Sequence, residues 1–191
     1  MLPSKQHPEA IRRYIASLGG QKISLRLAKE RDAEFILSLR LNPERNAHIS
    51  ATAPSLLEQR KWMSDYESRF EAGKEAYFII TDHGEDVGTV RIYDYLTSDS
   101  FCWGSWIIKP GTPELAAFST PVLVYDLGFH CLDFGAAHFD IRKENISVWK
   151  FEEMMGAELI CIDELSRRYT YPRSKYDLAR ARLVKLTGLN I

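Results

Sequence analysis

No stretch of the chain is apolar for long enough to span a membrane, and Met1 to Gly20 carries Pro3, Pro8, Glu9, Arg12 and Arg13 where a secretory leader needs an uninterrupted apolar run. A cytoplasmic address is the expectation. Cysteine is scarce: Cys102, Cys131 and Cys161 form an odd set of three, with no Cys-x-x-Cys pair and no Cys/His spacing suited to a metal. They read as buried thiols in a reducing compartment, and no metal is expected. Basic charge is in no excess, 25 Lys plus Arg standing against 26 Asp plus Glu for a formal charge of −1, so the electrostatic footprint of a nucleic-acid partner is missing. Repeats, low-complexity tracts and linkers are absent as well. What is there is 191 residues, 45% hydrophobic and 27% charged, which suits one compact domain with a core of its own.

Along that domain, Ile11, Tyr14, Ile15 and Leu18 share a helical face after Pro8 and stop at Gly19–Gly20, which predicts an amphipathic appendage over residues 1–20 outside a main domain of 21–191. Ile23, Leu25 and Leu27 alternate with polar residues and predict a first strand. Asp32 caps a helix to about Leu41, and Ser55 with Glu58 forms a capping box for a second helix that ends at Gly73. Tyr77–Thr81, Val87–Tyr93 and Phe101–Lys109, separated by turn-rich residues, predict an antiparallel meander. A helix over Thr120–Phe134, a strand at Phe139–Ile141, a helix over Ile146–Met155 closed by Gly156, and a strand at Leu159–Ile162 follow. An aromatic strand at Tyr169–Tyr171 and a closing helix over Tyr176–Leu186 complete the chain.

This α/β order, from Ile23 to Tyr171, resembles the GNAT superfamily of acyltransferases. The sharpest part of the resemblance is Phe139-Asp140-Ile141-Arg142-Lys143-Glu144-Asn145 with Val148 and Gly156-Ala157-Glu158, similar to that family's fifth strand, asparagine-headed helix and glycine end. The resemblance implies a mixed, mostly antiparallel sheet whose fourth and fifth strands splay, so that the amides of a pantetheine arm complete backbone hydrogen bonds left open in the gap. It implies acetyl-coenzyme A as co-substrate, held by the backbone of Ile107 and Ile108 and by Asn145. Asn145 is equally suited to an ordinary helix cap. The pyrophosphate cradle would fall on Ala116, Ala117, Phe118, Ser119 and Thr120. Here the chain departs from the family: Ala116 and Phe118 stand in place of two glycines, and Pro113 in place of an arginine. Ser119 or Thr120 as cap with Pro121 in the first turn would still put a helix N-terminus at the anion.

Many family members place a tyrosine acid seven residues after the asparagine; here that residue is Glu152, and burial beside an apolar cofactor would raise its pKa enough to keep a proton. A solvated helix residue is the plain alternative. On the acceptor side, His48 is a candidate base or an ordinary surface histidine, and Asp94 a candidate ligand for the ammonium group or simply a turn residue. Ser50, Tyr93, Trp103 and Ser105 would line the acceptor pocket. His130 and His138 read as structural, and the four tryptophans chiefly as core. Phe101–Trp106 with Val90–Asp94 resembles small GNAT proteins of bacterial surface-polysaccharide synthesis, which implies a small-molecule amine acceptor, an amino sugar carried on a nucleotide. A protein N-terminus as acceptor and a non-catalytic binding module stay open, as does a homodimer.

Overall fold

The computed structural model describes residues 3–191. One seven-stranded sheet runs in the order β1-β2-β3-β4-β5-β7-β6, with β1 (Ile23–Leu27), β2 (Ala76–Asp82), β3 (Glu85–Leu96) and β4 (Ser100–Ile108) forming the antiparallel meander. β4 then pairs in parallel with β5 (Ala136–Arg142), and β7 (Ser166–Pro172) lies antiparallel between β5 and the outermost strand, β6 (Glu158–Ile162). This is the mixed, mostly antiparallel α/β architecture expected from the order of elements.

Helices cover the two faces unequally. On one face α2 (Ala33–Leu41) and α3 (Leu56–Glu71) pack on each other, α2 reaching β4 and α3 held to β2. Ser55 Oγ accepts the amide of Glu58 at 3.3 Å to start α3, and Tyr66 anchors it by accepting the amide of Tyr77 at 2.9 Å. On the other face lies the main core, where the buried residues Phe78, Val90, Ile92, Phe101, Trp103 and Phe139 meet α4 (Glu114–Asp126) and the π-helical turn Leu127–Cys131 that prolongs it. Gly128 in that turn sits so close under Phe101 that a Cβ would lie 2.2 Å from the ring, so only glycine allows the approach. α5 (Ile146–Met155) ends at Gly156, whose φ of 106° reverses the chain into β6, and α6 (Arg173–Thr187) closes the domain.

Two expectations need correction. The N-terminal helix, α1 (His7–Ser17), does not lie outside the core: Ile11, Tyr14 and Leu18 are buried in the main cluster, and the Tyr14 hydroxyl donates to the Leu123 carbonyl of α4 at 3.0 Å. The second concerns α4, which starts at Glu114, not at Thr120. Ser119 and Thr120 are inside it and fully buried, and Thr120 Oγ1 donates back to the Ala116 carbonyl at 2.7 Å, the bond a mid-helix threonine makes. Pro121 therefore lies within the helix. Among the described residues no helix is long and apolar enough to cross a membrane, and no group of three His, Cys, Asp or Glu side chains is placed to hold a metal.

Candidate active site

β4 and β5 are joined only at their beginnings, Ser100–Cys102 against Ala136–His138. From Trp103 onward β4 keeps its partner β3 on one side and loses β5 on the other, so its outward backbone groups have no strand to bond. The strand is re-aimed at this point by a bulge: Ser105 and Trp106 together oppose Val90, Ser105 takes a φ of +49°, and its carbonyl accepts from Thr89 Oγ1 at 3.0 Å. Ile107 is buried and Ile108 half-buried on the splayed segment.

Across the core side of the gap runs a short polar chain in an aromatic setting. Trp103 Nε1 donates to the Tyr125 hydroxyl at 3.1 Å, and that hydroxyl donates to Glu152 Oε2 at 2.7 Å. Glu152 is 1% exposed, its Oε1 makes no hydrogen bond, and burial pushes its pKa up to about 7 against the lowering effect of the Tyr125 donor. Trp103, expected in the lining of the acceptor pocket, is a core residue, its ring 5.7 Å from Tyr125 and 5.5 Å from Trp106. Asn145 heads α5 without using its side chain as a cap, and its Oδ1 accepts only a long 3.5 Å bond from Ser147.

The displaced start of α4 also buries most of the expected anion cradle. Ala116, Ser119 and Thr120 are buried within the helix and present no surface, while Ala117 is half-buried and Phe118 exposed. The amides that precede the helical ladder belong instead to Glu114 and Leu115, after a turn in which Gly111 has a φ of +81°.

On the opposite face a cavity of about 320 Å³ opens beside the bulge, lined by Arg40, Ser50–Ala53, Trp62, Tyr77, Arg91 and Ser105 among others. Ser50 is thus at the pocket, whereas His48 is exposed on the loop and outside its lining. Tyr93 stands next along β3, its hydroxyl over Gly104 and its ring 4.2 Å from the Arg91 guanidinium. Asp94 has a φ of +51°, and its exposed carboxylate meets His138 Nε2 at 3.2 Å, while His138 Nδ1 lies 2.9 Å from Ser100 Oγ. The pairing of Asp94 with His138 is the contact that sequence reasoning missed: it spans 44 positions and exists only because β3, β4 and β5 are neighbours. His130, by contrast, pairs with Asp177 of α6 at 3.0 Å, away from the splay.

No family model matches the chain, and no curated protein does. Among solved structures, the chain superposes on FdhC, described as a nucleotide-linked sugar GNAT, with a TM-score of 0.80 and 38% identity over 87% of this chain and 96% of that one. The chain belongs to the GNAT superfamily. It is an N-acetyltransferase, and the splay between β4 and β5 is the feature that the family resemblance implied. The dodecameric spermidine N-acetyltransferase of Vibrio cholerae, 19% identical over 82% of this chain and 97% of that one with a TM-score of 0.66, shares the GNAT fold.

Proposed function

We propose that this GNAT protein transfers an acetyl group from acetyl-coenzyme A to the primary amine of a nucleotide-linked amino sugar. The observation that carries the reading is that the unpaired backbone of β4 and the polar cavity on the other face open at the same bulged residue, Ser105. A donor lying in the splay and an acceptor lying in the cavity meet there. The likeness to FdhC supports the acceptor class.

The residues present fit the donor. Ile107 and Ile108 lie where β4 has no strand partner on the β5 side, Asn145 offers an amide side chain that caps no helix, and the first amides of α4 at Glu114 and Leu115 offer anion donors. When bound, the coenzyme supplies an activated thioester carbonyl. Asp94 draws the ammonium group of the acceptor by charge. In the tautomer whose Nδ1–H donates to Ser100 Oγ, His138 Nε2 takes the proton from that ammonium group, and Asp94 remains as counter-ion of the imidazolium. Glu152, carrying a proton on its unbonded Oε1, returns one to the departing thiolate. His48, exposed on its loop, is left without a part.

Acetyl transfer to nucleotide-linked amino sugars, set beside transfer to N-terminal peptides and to spermidine, tests the reading. Faster transfer to peptides or to spermidine removes the sugar assignment. A second copy of this chain is the partner we propose, because β6 ends the sheet with all five of its residues exposed, Ile160 and Ile162 among them. A monomer mass in sedimentation at micromolar concentration would remove that partner.

A further inference from the structure

The cavity beside Ser105 has a charge pattern that the transfer reaction does not require. Two guanidinium groups, Arg40 and Arg91, line it, and among the described residues Glu58 is its one acid. Both arginines are fixed in place. Arg40 donates from Nε to Thr52 Oγ1 at 2.6 Å and from Nη2 to Ser50 Oγ at 3.0 Å and Ser50 O at 3.2 Å, bonds that leave Nη1 unspent. Arg91 lies between the rings of Trp62 and Tyr93, its Nε 3.0 Å from the buried carboxylate of Glu75, which Arg69 also neutralises. That single contact leaves the terminal nitrogens of Arg91 for another anion.

Tyr77 adds a phenol to the same lining. It is 2% exposed and lines the cavity, yet its hydroxyl, close to Thr89 and to the Arg40 guanidinium, meets hydrogen-bond geometry with neither. A buried hydroxyl without a partner costs about 1–3 kcal/mol, so a native structure keeps one where something else completes it. Two preset guanidinium forks and a phenol, with Gln59 and Ser105 on the same wall, form a donor-rich and cation-rich lining. Such a lining repels a polyamine or a free peptide terminus and attracts multiply charged oxyanions.

We infer that this cavity is a diphosphate site, in which Arg40, Arg91 and the Tyr77 hydroxyl hold the diphosphate of the acceptor while its amine reaches toward Ser105. The inference rests on the proposed acetyltransfer to a nucleotide-linked amine and names the residues that select it. The cavity's volume of about 320 Å³ lies at the lower end of small-molecule sites, enough for part of a ligand that extends beyond it.

The test is calorimetric titration of inorganic pyrophosphate into the full chain saturated with coenzyme A, so that the donor cradle is filled. We expect one site per chain. Arg40→Gln should weaken it about 10-fold or more, and Glu58→Gln, which removes an exposed acid and touches no core, should tighten it about 3- to 10-fold. Arg91→Gln should weaken it as well. If that variant fails to fold because Glu75 loses a counter-ion, Arg40→Gln and Glu58→Gln still decide. Equal affinity across the variants, no binding at all, or inorganic phosphate binding as tightly as pyrophosphate overturns the diphosphate site. The acetyltransferase reading is scored separately, by acetyl-coenzyme A binding and transfer to any amine. Transfer without a variant-sensitive pyrophosphate site sinks this inference alone, and pyrophosphate binding without transfer sinks only the reading of the reaction.

Discussion

Glu152 shows how one side chain can be read twice. Its spacing from Asn145 and its apolar surroundings argue for a carboxyl that holds a proton, and its pKa moves from 4.5 to about 7 because burial outweighs the Tyr125 donor. The folded chain then keeps a proton that the unfolded chain gives up between those two values, so stability should fall as pH rises through that window, by about 3 kcal/mol, and level off above it. Glu152→Gln cannot ionise and should flatten this dependence. Urea unfolding at pH 5 and pH 8 measures it, and equal slopes for the two proteins would place the proton elsewhere. In turnover, the same variant should lower kcat with coenzyme affinity unchanged, whereas an unaltered kcat would mean that the thiolate leaves unaided. In the proposed reaction Asp94 and His138 handle the other proton. His138→Asn should slow turnover by about 10²-fold at neutral pH, while Asp94→Asn should raise the acceptor KM as well. A His138→Asn enzyme with wild-type turnover would return the base to solvent or to another group.

At the scale of elements, β1 and α5 match their expected bounds because period and stop signals agree there: alternation over Ile23–Leu27, and Gly156 after Ile146–Met155. The start of α4 was illegible for a physical reason. Ser119-Thr120-Pro121 has the composition of a cap and a first turn, and nothing local distinguishes it from a buried helix interior in which threonine bonds back to Ala116. The His138–Asp94 pair was hidden for another reason, since it is created by strand order and not by spacing. The true N-cap of α4 is Pro113, which makes no side-chain capping bond. Pro113→Asp therefore separates two effects that usually move together. A carboxylate at the N-cap should stabilise the free protein by about 1 kcal/mol and, by like-charge repulsion, weaken coenzyme A by about 10-fold. Thermal unfolding with and without coenzyme A reads both, and an unchanged coenzyme shift would place the pyrophosphate away from α4.

For the whole molecule, the sheet acts as a partition with one opening. In the proposed reaction the splay between β4 and β5 takes the donor, the cavity on the face covered by α2 and α3 takes the acceptor, and both features reach the bulge at Ser105. Such a layout allows both substrates to be present together, and it makes direct attack the natural course unless the protein offers a nucleophile of its own at the opening. Among the described residues the thiol there is Cys102, at the last position where β4 pairs with β5. Burial raises its pKa to about 11, and its Sγ is 3.7 Å from the Trp103 carbonyl, so at neutral pH it stays a protonated, enclosed thiol unsuited to accept an acetyl group. Initial velocities measured against both substrates should accordingly give intersecting double-reciprocal lines, the pattern of a ternary complex. Cys102→Ala should keep kcat within a few-fold of the parent, with a stability loss of about 1 kcal/mol from the vacated volume. Parallel lines, together with loss of turnover in Cys102→Ala and a chain about 42 Da heavier, one acetyl group replacing hydrogen, after acetyl-coenzyme A is added alone, would show that the acetyl group rests on the protein first.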